Sequence, residues 1–383
     1  MYLNVFFMLD KYLIILPEVE GSVVEEWRQC LEQLKYSGTE GYTLVKLNVF
    51  VDSKDFAGYI DLKEKLGDTI INSFNKICPA FNITVHPPER PWKVSAEAGF
   101  IKNGKMNLES KIKDSVRYVV GMSESSKALW AGGFGATLYP EDTHSAGEAA
   151  FKQMRSLLES EEMSFDNIVR QWNYLGEITG CSDKGENYHL FNQVRSRQYG
   201  QYRKMMGFPA ATGIGMKFGG VNLDFFAIKP KDNYSIVAVN NPDQVRPYEY
   251  GRVVLRGVQA PQFERALLVA DSTEYTLFIS GTASILGQDT IGIDDVERQT
   301  VITIENIMKL VDASQHFLPE GSPLCDINCL ILLRVYVKRQ SDFEKVKNIC
   351  KSYFIGAPAI YIEADVCRDN LLVEIEAEFF NKS

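Results

Sequence analysis

The chain has 383 residues, 45 % of them hydrophobic, with 41 Lys and Arg against 50 Asp and Glu for a formal net charge of −9. This is ample apolar content for two packed cores and excludes a disordered chain. The acidic balance, without a dense basic run, excludes a nucleic-acid surface that works by phosphate neutralisation, and no apolar run is long enough for a membrane span. Seven scattered cysteines include a Cys325/Cys329 CxxxC pair but no zinc-type double pair, so reduced thiols in a cytoplasmic protein without a metal are expected.

The apolar start, Met1 to Leu9, is short and lacks a basic flank, so it reads as a first strand and not as an export signal. A short strand over 12–17 precedes an amphipathic helix over 22–34 with Trp27, Cys30, Leu31 and Leu34 on one face. A β-branched strand over 42–51 leads through Asp52-Ser53-Lys54-Asp55, where Asp and Ser suit a helix cap, into a helix over 56–77. Strands over 80–85 and 93–100 follow. The spacing predicts helices over 145–158, 165–175 and 186–199; in the last, Tyr188, Phe191, Arg195 and Tyr199 share a face that is either a snorkelled surface or a pocket wall. Pro209 to Gly215 contains a GxG without a Walker lysine and reads as a tight bend into a strand. Strands over 223–228 and 235–239, a hairpin of 266–270 with 276–285, a helix over 296–310, a strand over 329–337 and a helix over 343–353 complete the run.

The chain ends in Leu372-Val373-Glu374-Ile375-Glu376-Ala377-Glu378-Phe379, where apolar and acidic residues alternate with period two. The glutamates form either a solvated face or the wall of a closed pocket, where burial makes a carboxyl a proton donor. Cys367 lies just upstream, before an Arg-Asp-Asn turn. The strand-helix-strand-strand pattern of 47–100 recurs here: at a constant offset Val94, Glu97, Ala98 and Phe100 fall on Val373, Glu376, Ala377 and Phe379. At that offset Ser95 stands for Glu374 and Pro88 for Cys367, which leaves one active site per chain.

Phe278 to Ser284, Val335-Tyr336-Val337 with Asp342-Phe343, and the terminal strand resemble the YjgF/RidA superfamily. More specifically, Trp172-Asn173-Tyr174, Pro209 to Gly215, Ser280-Gly281-Thr282-Ala283 and Asp365-Val366-Cys367-Arg368 resemble the chorismatases, cofactor-independent enzymes that remove pyruvate from chorismate. The resemblance implies an α+β fold of two tandem YjgF/RidA-like, chorismate-mutase-like domains, mixed sheets with helices packed on one face. A degenerate first domain is expected over 1–160, a helical connector contributing to the pocket over 161–207, and a catalytic domain over 208–383. A monomer with pseudo-oligomeric packing or a trimer follows, with chorismate as the partner.

Residue by residue, the resemblance makes Glu374 the acid/base. The cysteine and glycine of 3-hydroxybenzoate-forming members fall on Cys367 and Gly281, where hydrolytic members carry alanine. Substrate-binding positions fall on Tyr188, Arg195, Tyr250, Arg265, Gly281, Thr282 and Ala283, with Tyr248 a rival to Tyr250. Two arginines suit a dianion, since guanidinium makes charge-assisted, bidentate bonds to carboxylate. Single-domain deaminases carry an arginine where this chain has Ile360, which argues against imine deamination. A hydrolytic chorismatase giving a dihydroxycyclohexadiene carboxylate and a non-catalytic binding protein are the alternatives.

Overall fold

The computed structural model describes residues 9–36, 40–74, 76–135, 142–230, 234–251, 259–271 and 274–382. The first strand expected before Leu9 lies outside them. Three sheets divide the chain. The first unit comprises β1 (Lys11–Ile15), α1 (Val23–Tyr36), β2 (Tyr42–Val51), α2 (Phe56–Ser73), β3 (Ala80–Thr84) and β4 (Val94–Lys102), with sheet order β1-β4-β2-β3. Helix α2 begins where the sequence suggests, because the Asp55 side chain accepts from the Gly58 N–H at 2.8 Å. Trp27, Cys30, Leu31 and Leu34 are buried along α1.

The second unit comprises β5 (Asn107–Lys113), β6 (Val116–Met122), β7 (Ser126–Phe134), α3 (Thr143–Ser160), β8 (Ile168–Gly176), a ribbon of β9 (Cys181–Ser182) and β10 (Gly185–Glu186), α4 (Asn187–Tyr202), β11 (Ala210–Met216) and β12 (Val221–Pro230). The third comprises β13 (Ser235–Val239), β14 (Ala266–Ala270), β15 (Glu274–Ala283), a ribbon of β16 (Ile285–Leu286) and β17 (Asp289–Thr290), α5 (Val296–Ser314), β18 (Leu330–Val337), α6 (Phe343–Tyr353), β19 (Ala359–Glu363), β20 (Asp365–Val366) and β21 (Val373–Lys382). Their sheets run β20-β11-β8-β12-β7-β6-β5 and β13-β14-β15-β21-β18-β19.

Apart from β20, the second and third sheets have one strand order: a meander of three, then the sixth, fourth and fifth strands of the unit. These are two tandem copies of one unit. The first unit repeats the same order without its first two strands, so the duplication read at a fixed offset relates the first unit to the third. The expected bounds therefore fall elsewhere than the sheets do. Residue 160 lies inside the seven-stranded sheet, and the expected connector over 161–207 supplies β8, a central strand of that sheet, as well as α4. The expected helix over 165–175 is β8 itself; all 9 of its residues are buried, so no in-and-out alternation was there to mark it as a strand.

Helices α3 and α4 cover one face of the second sheet, and α5 and α6 one face of the third. The uncovered faces meet the first unit in a common interior. At one register of the three sixth strands stand acids: Glu97 opposite Asn48, Asp224 opposite Trp172 and Glu376 opposite Arg334. Carboxylates removed from water need cations, and each has one: Lys46 meets Asp224 at 2.6 Å, Arg170 meets Glu376 at 2.6 Å, and Arg334 meets Glu97 at 2.6 Å while also pairing with Glu376. These pairs tie the units together at the level of the site.

Candidate active site

Strand β21 carries the acid face inward. Val373, Ile375, Ala377 and Phe379 pack toward α5 and α6, while Glu374, Glu376 and Glu378 are buried on the opposite face, only 4 %, 3 % and 5 % exposed. The alternation therefore separates an apolar core from a polar interior: none of the three glutamates forms a solvated face, and Glu374 is the one that lines the cavity described below.

The three carboxyls have different surroundings. Glu376 is gripped by Arg170, Arg334, Thr212 and Trp172, the last through its Nε1 at 2.9 Å. Burial pushes its pKa up, but Arg334 and Arg170, with the hydrogen bonds of Thr212 and Trp172, outweigh burial and hold it below the usual value. Glu378 accepts from the Tyr12 hydroxyl at 2.9 Å, and burial raises it to about 7. Glu374 has no hydrogen bond to its carboxyl among the described residues; burial first, then the charge of neighbouring Glu376, pushes it up to about 8, with Arg170 opposing. It is thus a protonated carboxyl at neutral pH with its donor unspent.

Glu374 faces a cavity of about 430 Å³ between the second and third units. The third unit reaches into the second sheet here: β20 pairs antiparallel with β11, Gly215 opposite Asp365, and so delivers Cys367 to the cavity wall. A side chain at Gly215 would run into Ile178 and Asp365. Burial and then Glu374 raise the Cys367 thiol to about 12, so it is neutral. The Ser280 hydroxyl accepts from the Ala211 N–H at 2.8 Å and fastens β15 to β11 on the other side. Gly281 lies under Glu374, where a Cβ would collide with Oε1 of the carboxyl.

Helix α4 supplies the cation wall. Tyr188, Asn192 and Arg195 line the cavity, and Arg195 donates to Asn192 Oδ1 at 2.6 Å. Phe191 and Tyr199, expected on the same face, turn into the core under α3, because the pocket stripe runs at i, i+4 and i+7 and the core stripe lies beside it. From the third unit, Arg265 donates to the Tyr250 hydroxyl at 2.7 Å and to the Val245 carbonyl at 2.8 Å. Among the described residues, the Nε atoms of Arg195 and Arg265 are buried without a hydrogen-bond partner.

Of the expected site residues, Glu374, Cys367, Arg265, Arg195, Tyr188, Tyr250, Gly281 and Ala283 all line this cavity. Thr282 does not: the register shift between Ile279 and Thr282 turns its side chain away, and its hydroxyl bonds the Ser280 carbonyl at 2.8 Å. Tyr250 is the cavity tyrosine; Tyr248 instead packs on Phe208 and bonds Glu264 at 3.3 Å. Sequence reasoning missed Asn192, His189 and Arg368. Asn192 sits one turn from both Tyr188 and Arg195, a spacing that could have found it. The Arg368 guanidinium lies 5.5 Å from the centre of the Tyr250 ring, and its Nη1 donates to the Gln288 carbonyl at 2.9 Å.

A family model for the chorismatase FkbO/Hyg5-like N-terminal domain matches residues 109–227, which is the second unit almost strand for strand. A 3-hydroxybenzoate synthase of Streptomyces hygroscopicus is 35 % identical over 241 residues, 60 % of this chain and 68 % of the relative. A chorismatase of Streptomyces rapamycinicus is 31 % identical over 253 residues, 63 % of this chain and 73 % of the relative. This chain belongs to the chorismatase family. A crystal structure of a chorismatase matches the fold over 98 % of this chain and 99 % of its own, with a TM-score of 0.67 at 20 % identity. The chain is accordingly an enzyme acting on a small molecule. No helix among the described residues is long and apolar enough to cross a membrane.

Proposed function

We propose that the enzyme converts chorismate to 3-hydroxybenzoate and pyruvate in the cavity between the second and third units, acting as a single chain. The observation that carries the reading is the pair of neutral groups, a protonated Glu374 and the Cys367 thiol, facing one space walled by Arg195 and Arg265. Arg195 and Arg265 bind the two carboxylates of the dianion, with Tyr188 and Tyr250 beside them. Glu374 gives its proton to the methylene carbon of the enolpyruvyl ether, so the side chain becomes an oxocarbenium-like centre and the ether bond to the ring weakens. Cys367, a small weak donor, leaves the neighbouring ring hydroxyl as the nucleophile: it gives its proton to the Glu374 carboxylate and bonds to the carbon that bore the ether, displacing pyruvate and closing a ring epoxide. Opening of that oxygen's original C–O bond, with loss of a ring proton and return of a proton to the oxygen, gives the phenol. The two products together contain every atom of chorismate, so no water is consumed.

Support comes from the relative named a 3-hydroxybenzoate synthase and from Cys367 and Gly281, the residue types that accompany that product in the family resemblance. The hydrolytic route differs by the uptake of water. Incubation with chorismate, with pyruvate and ring product read by chromatography, separates them. Equal amounts of pyruvate and 3-hydroxybenzoate are expected, with Cys367→Ala diverting product toward the diene. A diene as the main wild-type product would assign the hydrolytic route instead.

A further inference from the structure

The reaction cavity lies between β11 and α4 of one unit and the sheet of the next. The third and first units meet in the same way. Strand β8 pairs in parallel with β11, Trp172 beside Thr212, as β18 does with β19, Arg334 beside Ile360. Because Trp172 and Arg334 hold one register against Asp224 and Glu376, Ala359 and Tyr361 stand where Ala211 and Gly213 line the reaction cavity. Between β19, α6 and the first unit's β1 there is again a cavity, of about 470 Å³ against about 430 Å³. Such volumes are those of small-molecule sites.

Its chemistry differs from that of the first. The positions of Glu374 and Cys367 are taken by Ser95 and Pro88, so it has no acid/base pair. Its walls are mostly apolar, with Ile14 of β1, Leu16 just after it, Phe354 and Ile360, and Glu89 lines it as well. Two cations line it. Lys347 is taken up by Glu89 at 2.7 Å, whereas Lys351 has no carboxylate within ion-pair distance among the described residues. One free ammonium beside apolar walls suits one carboxylate on a flat apolar body, where two free arginines suit a dianion.

We propose that the cavity between the first and third units is a second, non-catalytic ligand site that takes a small aromatic monocarboxylate, held by Lys351 above the Phe354 and Ile360 walls. The proposal concerns binding alone and stands whichever product the reaction cavity forms. The probe is 3-fluorobenzoate, titrated by fluorine NMR into Arg265→Ala protein, in which the reaction cavity has lost half its cation wall. Saturable binding is expected there, weakened about tenfold or more by adding Lys351→Glu, the loss of roughly one charge-assisted contact, and abolished by adding Ala359→Trp, which fills the cavity. Lys351→Glu alone should leave chorismate turnover unchanged. Absence of saturable binding in Arg265→Ala, or binding indifferent to Lys351→Glu, overturns the proposal. Lys351 is exposed and its replacement is compatible with folding, so the test does not depend on Ala359→Trp.

Discussion

Glu374 holds a proton at neutral pH because its carboxyl is out of water, next to a carboxylate that the protein keeps ionised. The cations that could have neutralised it, Arg170 and Arg334, are spent on Glu376. Two glutamates two residues apart on one face are thereby pushed to opposite protonation states, the arrangement by which sites assign an acid. Activity is expected to fall as pH rises through about 8, where Glu374 loses its proton. Glu374→Gln should lower turnover by about 10²- to 10⁴-fold, the usual worth of a positioned general acid, as read by pyruvate release. The same shift bears on stability. Folded Glu374 keeps its proton to about pH 8, whereas the unfolded chain releases it near 4.5. Between these values the folded state binds more protons, so the stability tied to this group is complete below the unfolded value and is lost as pH rises through the folded one, by at most about 1.4 kcal/mol per pH unit. Urea unfolding at pH 5 and pH 8 should show a smaller difference in Glu374→Gln than in the wild type, with the remaining slope owed in part to Glu378, whose pKa is also raised. At the cation wall, Arg265→Ala leaves the Tyr250 hydroxyl without its donor and a carboxylate without its fork; a 10- to 100-fold rise in KM is expected, on the order of the 1.5–3 kcal/mol of a hydrogen bond to a charged group, with a smaller change in kcat.

At the scale of elements, the site depends on one crossing. Strand β20 belongs to the third unit by sequence but to the second unit's sheet by hydrogen bonding, and it fixes where Cys367 lies relative to Glu374 on β21. The close approach of β11 and β20 requires Gly215, since even a methyl group would meet the Asp365 backbone and the Ile178 side chain. Gly215→Ala is expected to destabilise the protein by about 1–3 kcal/mol, the range for overpacking, and to change the ratio of phenol to diene product although it touches no substrate. A Gly215→Ala protein with the wild-type ratio and stability would show that the crossing has slack. The bulge in β15 has the same kind of authority: it separates Gly281 and Ala283, which line the cavity, from Thr282, which does not. Motif membership could not distinguish these neighbours, because a register shift is invisible in a four-residue string.

For the whole molecule, three units in one chain close around an interior of paired charges. Arg334 binds Glu97 of the first unit and Glu376 of the third, and is fully buried. Arg334→Met would leave two carboxylates in that interior short of a cation. A loss of about 3–5 kcal/mol is expected in denaturant unfolding, the cost of breaking a buried pair from one side, together with a changed pH profile, because Glu376, left with Arg170 as its cation, would be held ionised less firmly beside Glu374. This prediction links stability and catalysis through one residue that never meets the substrate.

Much of this was legible in the chain. The period-two run of β21, the capped helix α2 and the fixed-offset repeat follow from local patterning and identified the acid strand, and of the residues the resemblance singled out all but Thr282 line the cavity. The second unit escaped notice as a copy because it shares a strand order with the third, not a run of residues, and β8 escaped because burial on both faces erases alternation. Which glutamate keeps its proton was not in the strand itself. Glu374 and Glu376 are alike in sequence; they differ because Arg334 and Arg170 hold Glu376, Arg170 from 206 positions away along the chain yet 2.6 Å away in space. Sequence set the residue types and their local periods, since those depend on neighbours within a few positions. Charge state, cavity and the company of Cys367 were decided by tertiary structure, because electrostatics and desolvation act through distance in space.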